Sequence, residues 1–216
     1  MNSPMSRGSS STVTSSFKFK LYLATAGFGL AAGLIAALAT SAIILLAEKV
    51  TSLPVGTFYI VLSSAIFQTQ SQATFYSIEL GFLMHILVGA LIGLVISSIL
   101  FFGVSRKSLQ MHAPNIIKYA PVYGLVAGFV IWIGLFIPIT FGIMLPLLNS
   151  HQGNNIIKEQ TSAGVFSIAK DRLLSMMNQV IVSSLVFHLF YGLLTIILTR
   201  SMYETYLQKK ERSLLR

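Results

Sequence analysis

Four long apolar stretches constrain this chain more than any other feature. A helix needs about 20 consecutive apolar residues to cross the hydrocarbon core of a bilayer. The stretches that reach this length are about 21–47, 78–104, 119–140 and 180–199. Only 10% of the residues are charged, against about a quarter in soluble domains. The sequence therefore predicts an all-α integral membrane bundle of four transmembrane helices over residues 21–199, and it argues against a soluble globular enzyme.

The segments outside these spans are short. Residues 1–20 are rich in serine, which is typical of a disordered tail. The apolar run Val55–Phe67 is too short to span and is predicted to be interfacial or re-entrant. Apolar and charged residues alternate over Ala163–Met177, which predicts a short amphipathic helix on the outer surface. Residues 200–216 form a basic tail, predicted to continue as a helix on the cytoplasmic side.

The basic residues predict the orientation. Eleven of the 15 lysines and arginines lie in the N-terminal tail, the second loop and the C-terminal tail. Loops rich in lysine and arginine stay in the cytoplasm, so we expect both termini to be cytoplasmic in a plasma or inner membrane. The net charge of +9 then reflects topology and attraction to anionic lipid headgroups. We expect no nucleic acid as a partner, because no basic patch with interleaved aromatic residues sits on a soluble domain.

Two short motifs occur twice in the same order. The pattern GLxAG is found at Gly29–Gly33 and again at Gly124–Gly128. The pattern HxxxG follows at His85–Gly89 and at His188–Gly192. These pairs predict two parallel helical-hairpin repeats related by a two-fold axis along the membrane normal. The alternative is coincidence, since small residues at this spacing are common in membrane helices.

Small residues also recur every four positions along each span, which places them on one helix face. Close backbone approach at such faces holds membrane helices together. We therefore expect the glycines of these stripes to serve helix packing: Gly29, Gly33, Gly89, Gly93, Gly124, Gly128 and Gly192.

These motifs, with the proline-containing exit from the third span at Phe136–Ile139, resemble the YagU-like family of small bacterial inner-membrane proteins. The resemblance covers most of the chain from Gly29 to Gly192. It implies a multi-pass fold and an inner-membrane location. That family is of unknown function, so the resemblance implies no catalytic residues. The first outer loop departs from the family because it lacks a proline-rich run after the first helix.

Three ionisable residues lie within or at the edge of the spans: Glu79, His85 and His188. The histidines are at similar depths, so they are expected to face each other across the bundle. One interpretation is structural, with each imidazole hydrogen-bonded to a neighbouring helix. A second is a polar path or proton relay, with Glu79 at its outer mouth. A third is ligation of a metal or of a b-type haem, for which the two histidines would be the axial ligands. The leading expectation is no cofactor and no metal site. His112 and His151 lie in loops and are expected to be solvated.

The third span carries Pro138 in its outer half. A proline in a helix interior removes a hydrogen bond and frees a carbonyl, which is tolerated where the backbone lines a cavity. We therefore expect a helix break there, beside an outward-facing polar vestibule that includes the two histidines. The alternative is that Pro138 merely ends the helix early.

Signatures of enzymes are missing from the sequence, including the Walker loop, GxSxG and HExxH. A non-enzyme is therefore expected. The leading hypothesis is a membrane protein that moves or senses protons or a small solute through the vestibule. The alternative is a non-catalytic structural or accessory subunit of a larger membrane complex, or a homo-oligomer. The third hypothesis is a b-haem electron-transfer subunit.

Overall fold

The computed structural model describes residues 10–67, 75–106, 113–149 and 171–214, and within these ranges it is helical without strands. The helices are α1 (Ser10–Val50), α2 (Thr57–Phe67), α3 (Phe75–Arg106), α4 (Ala113–Ile131), α5 (Ile137–Ile139), α6 (Leu145–Asn149) and α7 (Met177–Leu214). Two π-helical turns, π1 (Trp132–Phe136) and π2 (Thr140–Met144), join α4, α5 and α6 into one continuous rod. Four segments are long and apolar enough to cross a membrane: Tyr22–Val50, Ser77–Leu100, Tyr119–Asn149 and Met177–Ser213. The predicted all-α bundle of four membrane helices is confirmed.

The ends of the chain are more helical than the sequence suggests. The first helix begins at Ser10, so residues 10–20, expected in a disordered tail, are helical instead. The last helix runs without interruption to Leu214, so the basic C-terminal tail continues the fourth span. Of the predicted surface helix, residues 171–175 are helical and residues 163–170 lie outside the described ranges. Residues 1–9 of the predicted N-terminal tail also lie outside them. Rings of Phe28 and Tyr206 are in contact, which places the start of α1 and the end of α7 at the same end of the bundle.

The third span does not stop at Pro138, so the interpretation that this proline ends the helix is wrong. The ring of a helical proline collides with the carbonyl of the residue four positions earlier. In this span the turns before Pro138 and Pro146 are widened to π turns. The Ile137 N–H bonds the Trp132 carbonyl, and the Leu145 N–H bonds the Thr140 carbonyl, both five residues back. Pro138 and Pro146 are the next residues after Ile137 and Leu145. The helix therefore changes its hydrogen-bonding pattern before each of these prolines and continues.

Glycines bring the helices of each hairpin into backbone contact, and all seven of the predicted packing glycines lie in such contacts. In the first hairpin, a methyl group on Gly33 would lie 2.5 Å from the carbonyl oxygen of Gly89. In the second hairpin, a methyl group on Gly192 would lie 2.6 Å from the amide nitrogen of Gly128. These distances are shorter than any real carbon contact, so only glycine permits this helix spacing.

The two hairpins differ in register by one helical turn. Gly89 lies between Gly33 and Ala37, whereas Gly192 lies between Gly124 and Gly128. The position after Gly128 that corresponds to Ala37 is Trp132, which is too large for backbone contact. The helix seams also differ, because α1 packs closely on α7 whereas α3 and α4 scarcely touch. The duplication therefore stays a prediction, with a two-fold symmetry that is only approximate.

Two apolar clusters fill the bundle. The central cluster joins α1, α3 and α7 through Ala36, Ala37, Ile86 and Tyr191. The second cluster lies at the end of the bundle opposite Phe28 and Tyr206, where Val61 of α2 packs with Leu148 of α6 and with Leu173. Helix α2 thus occupies the gap that α3 and the third span leave between them.

Candidate functional site

Helix α2 folds back into the bundle after α1 ends. The Leu53 N–H donates to the Glu48 carbonyl (2.9 Å) and the Ser52 N–H to the Lys49 carbonyl (3.2 Å), which together form a Schellman turn. At the start of α2, the Phe58 and Tyr59 rings contact the ring of His85, with centroids 5.8 and 6.1 Å apart. Because His85 lies eight residues into its span, this contact is about 12 Å below the outer end of that span. The start of α2 therefore packs into the bundle, and its interfacial or re-entrant position in the membrane stays a prediction.

A buried carboxylate holds α2 in place. Glu48, at the outer end of α1, is only 5% exposed. Its Oε2 accepts the Gly56 N–H (2.6 Å) and its Oε1 accepts the Phe58 N–H (2.7 Å). The first N–H groups of a helix have no partner within the helix, and a negative charge there is stabilising. Sequence analysis missed this residue; an acidic side chain closing an apolar span just before Pro54 and Gly56 was the available signal.

The two histidines lie on α3 and α7. One turn deeper, the Tyr191 hydroxyl of α7 donates to the Gly89 carbonyl of α3, so the two helices are adjacent at this depth. The juxtaposition of the His85 and His188 rings stays a prediction.

Hydrogen bonding fixes the tautomer of His188 but not that of His85. The Nδ1 atom of His188 lies 2.6 Å from the Ser184 carbonyl, which can only accept, so a neutral ring carries its proton on Nδ1. Its Nε2 is then the acceptor nitrogen. The Nε2 atom of His85 is buried and has no hydrogen-bond partner among the residues that the structure describes. The structural interpretation expects a bond to a neighbouring helix, whereas Ser184 belongs to the same helix as His188, so all three interpretations of the histidines stay predictions.

Three hydroxyl groups near the histidines are also buried without a partner: those of Ser41, Tyr59 and Thr140. They belong to α1, α2 and π2. The Tyr59 ring packs on His85, and its hydroxyl neighbours Ser41. Thr140 lies one turn beyond Phe136, whose ring packs on His188 at 5.4 Å. We call these five residues, Ser41, Tyr59, His85, Thr140 and His188, the polar chamber.

Unpaired buried polar groups are expensive. Each buried donor or acceptor without a partner costs about 1–3 kcal/mol. The Tyr59 phenol can both donate and accept a hydrogen bond. Four such groups on four elements suit water or a small polar species between them.

Trp132 links the third span to α7 beside the chamber. Its Nε1–H donates to the Ser184 hydroxyl (2.9 Å), which in turn donates to the Ile181 carbonyl (2.7 Å). Ser184 also supplies the carbonyl that fixes His188. Sequence analysis noted Trp132 in the outer half of the span but did not predict this bond, because it depends on the register between the two helices.

Glu79 is not brought to the histidines. Its side chain is exposed in the first turns of α3. Six residues at 100° each place it about 240° around the helix from His85. The carboxylate near the chamber is Glu48, so the expectation of Glu79 above His85 is corrected. His112 and His151 lie outside the described residues.

A haem or metal between the histidines stays a prediction. Both imidazoles already pack against aromatic rings, His85 against Phe58 and His188 against Phe136. In the described part of the chain, no three His, Asp or Glu side chains group closely enough to hold a metal ion. Two imidazoles alone are a poor site for zinc.

Comparisons with known proteins give no indication of function, so a functional proposal depends on the site itself. No family model matches the sequence, and neither the curated proteins nor the solved structures give a significant match. The resemblance to the YagU-like family therefore stays a prediction. Fold and composition define a multi-pass membrane protein with four apolar helices in contact with lipid.

Proposed function

We propose that this chain is a non-enzymatic protein of the cell membrane, with both termini cytoplasmic, that moves or senses protons or a small polar solute. The solute enters the polar chamber from the outside. His85 and His188 form its centre, and Glu48 keeps α2 folded against it. In this proposal Tyr59, Ser41 and Thr140 provide the remaining polar contacts.

The observation that carries the proposal is the set of buried polar atoms without partners. A structural role would predict hydrogen bonds for these atoms, since buried polar groups in proteins are nearly always paired. Here His85 Nε2 and the hydroxyls of Ser41, Tyr59 and Thr140, which lie on four different elements, have no hydrogen-bond partner among the described residues. Ionisable residues inside a membrane most often mark ion or solute pathways, which supports the same interpretation.

The outer half of the third span supports entry from that side. Its two π turns precede Pro138 and Pro146, and π turns occur frequently at functional sites. A methyl group on Gly134 or on Gly142 would meet nothing within 4 Å. This rod contacts α2 through π2, and the Phe136 ring of π1 packs on His188, so both π turns lie beside the chamber.

The full-length protein reconstituted in liposomes tests the proposal. An internal pH dye would report proton entry, and light scattering would report uptake of glycerol and urea. We expect activity above empty liposomes, lowered about tenfold in His85→Ala and in His188→Ala, which corresponds to about 1.4 kcal/mol in the barrier. Glu79→Ala is the matched control, because this exposed carboxylate lies outside the chamber, and it should match the wild type.

Two outcomes would contradict the proposal. If neither readout exceeds empty liposomes, or if both histidine variants match the wild type while folded, the chamber has no transport role. Circular dichroism and gel filtration in detergent would establish that each variant is folded.

A second candidate function is an accessory subunit of a larger complex or a homo-oligomer. The apolar window of the third span is only 11% buried, against 28–33% in the other three. A partner helix could cover this face, although lipid covers it equally well. The native mass of the protein extracted in mild detergent would decide: stoichiometric partner chains or a defined oligomer favour the subunit, and a monomer favours the chamber.

A further inference from the structure

Helix α2 is fixed in the bundle at its N-terminal end. The Glu48 carboxylate accepts the Gly56 N–H (2.6 Å) and the Phe58 N–H (2.7 Å). Hydrogen bonds to a charged acceptor are about twice as strong as neutral ones. The same end of α2 is seated on α3, because a methyl group on Gly81 would collide with the Tyr59 carbonyl. One carboxylate and one glycine contact thus position the start of α2.

The start of α2 covers the polar chamber. The rings of Phe58 and Tyr59 pack on the ring of His85, and Tyr59 is only 1% exposed. Ser41 of α1, whose hydroxyl neighbours that of Tyr59, is only 2% exposed. On its other side, α2 contacts π2 of the third span. Movement of α2 away from its seat would therefore uncover His85 and Ser41.

The seated position of α2 leaves polar groups without partners. The hydroxyls of Ser41, Tyr59 and Thr140 and the His85 Nε2 have no hydrogen-bond partner in the described part of the chain. Each such group costs about 1–3 kcal/mol while it is buried, and water would satisfy all four if α2 moved aside. Glu48 acts in the opposite direction, because its two hydrogen bonds are lost when α2 leaves. The balance between the two positions therefore depends on Glu48.

The segment between α1 and α2 can serve as a hinge. Ser52 and Gly56 have φ angles of 56° and 94°, both in the left-handed region, and they enclose residues 53–55. The helical hydrogen bonding of α1 ends before this segment, so rotation within it moves α2 without disturbing α1. Helix α2 has only 11 residues, and isolated helices of this length are marginally stable. Lids are drawn from such elements of low local stability.

We infer that α2 is a lid over the polar chamber and that Glu48 is the latch that keeps this lid closed. The inference rests on the proposed function and adds how access to the chamber is regulated. In the closed position the Glu48 carboxylate holds the N-terminal end of α2, and Phe58 and Tyr59 cover His85. In the open position α2 swings about residues 52–56, and water or a small polar solute reaches His85.

Thiol labelling tests the lid, because the chain contains no cysteine of its own. Ser41→Cys places one thiol under α2. The full-length protein in liposomes is exposed to the impermeant thiol reagent MTSET on both faces, and mass spectrometry measures the modified fraction. We expect Glu48→Gln to raise the labelling rate of Ser41→Cys about tenfold, because the amide nitrogen of glutamine cannot accept a hydrogen bond. Glu79→Gln, which neutralises an exposed carboxylate, should leave the rate unchanged.

A second pair of variants opens the lid without changing Glu48. Gly81→Ala pushes the Tyr59 carbonyl away from α3 and should also raise the labelling rate of Ser41→Cys. Gly27→Ala is the matched control, because a methyl group there meets nothing within 4 Å. Ser97→Cys, at a position of α3 that is 1% exposed, reports general loosening of the bundle and should stay unlabelled in every background.

The outcomes separate the lid from the proposed function. Labelling that rises at Ser41→Cys and not at Ser97→Cys supports the lid. Unchanged labelling in folded Glu48→Gln overturns it, and so does labelling that rises equally at both cysteines. Flux that depends on His85 and His188 while labelling stays unchanged keeps the proposed function and overturns the lid. Faster labelling without flux in any variant supports a movable α2 and overturns the proposed function.

Discussion

The two hairpins use the same contacts but differ in their outer halves. In the first hairpin, α1 and α3 approach through Gly29, Gly33, Gly89 and Gly93, and Ala37 continues the close contact outward. In the second hairpin, glycine contacts end at Gly128, and Trp132 occupies the next turn. Close helix contact therefore persists in one hairpin where the other gives way to π turns.

This difference shows how the same pattern of small residues can give one hairpin with close helix contact along its outer half and another without it. Backbone contact needs a small residue at every turn, because any larger side chain keeps the helices apart. Once Trp132 interrupts the series, the third span is held to α7 by a side-chain hydrogen bond instead. The space gained on that side is filled by α2, which is anchored by Glu48 of the first hairpin.

The largest expected effect comes from enlarging a contact glycine. Gly33→Leu should separate α1 from α3 and destabilise the protein by about 3 kcal/mol, because a packed backbone contact cannot absorb the side chain. Gly27→Leu is the matched control, since nothing lies within 4 Å of a methyl group at that position. Unfolding in mixed detergent micelles would measure both.

The second hairpin allows the same test, because it also has one glycine in close backbone contact and one glycine in open surroundings. Gly128→Leu should be as severe as Gly33→Leu, while Gly134→Leu on π1 should be tolerated because its surroundings are open. A severe effect of Gly134→Leu would show that the outer half of the third span is as tightly packed as the first hairpin.

Loss of the buried carboxylate should rank next. Glu48→Ala leaves the Gly56 and Phe58 N–H groups without their acceptors and should cost about 2 kcal/mol. Hydrogen exchange at these two amides should accelerate. Glu79→Ala, which removes an exposed carboxylate from α3, should leave stability and exchange unchanged. Equal effects of the two variants would mean that Glu48 does not anchor α2.

The bond that replaces glycine contact in the second hairpin should contribute less. Ser184→Ala removes the acceptor of the Trp132 Nε1–H and should destabilise the protein by about 1 kcal/mol. Since the chain contains one tryptophan, its emission spectrum reports this site alone. The spectrum should shift in Ser184→Ala and stay unchanged in Ser183→Ala, whose side chain is exposed. An unchanged spectrum in both variants would contradict the bond.

The smallest expected effect is a gain in stability at the turn that leads to α2. Ser52 has a φ of 56°, in the left-handed region that favours glycine. Ser52→Gly should stabilise the protein by about 0.5 kcal/mol, because relief of strain slightly exceeds the added entropy of the unfolded chain. Ser201→Gly, at an exposed helical position of α7, should instead destabilise it by a similar amount. Thermal unfolding that shows the same sign for both would contradict this account.

Local pattern was enough to predict the spans, the short α2 segment and the faces that carry the glycines. These features follow from the length needed to cross hydrocarbon and from the period of the helix, both of which are local. The pairing of His85 with His188 is also an expectation from local pattern, because residues at equal depth in two neighbouring parallel spans can come together.

The local sequence could not show which of two glutamates would be buried near the chamber. Glu48 and Glu79 both lie at the outer ends of apolar spans, and nothing in their immediate sequence distinguishes them. Glu48 is buried because α2 folds back and presents two N–H groups to it, whereas Glu79 faces outward on its helix. The unpaired hydroxyls are a similar case, since serine and threonine in a membrane helix usually bond their own backbone.

The sequence by itself thus determined that this is a membrane protein of four helices with glycine-lined contacts and two intramembrane histidines. Tertiary structure alone decided the register of the second hairpin, the burial of Glu48 and the convergence of unpaired polar groups into a chamber. The physical reason is one of range: hydrophobic length and helical period act along a single segment, whereas the pairing of a buried polar atom depends on which other segment reaches it.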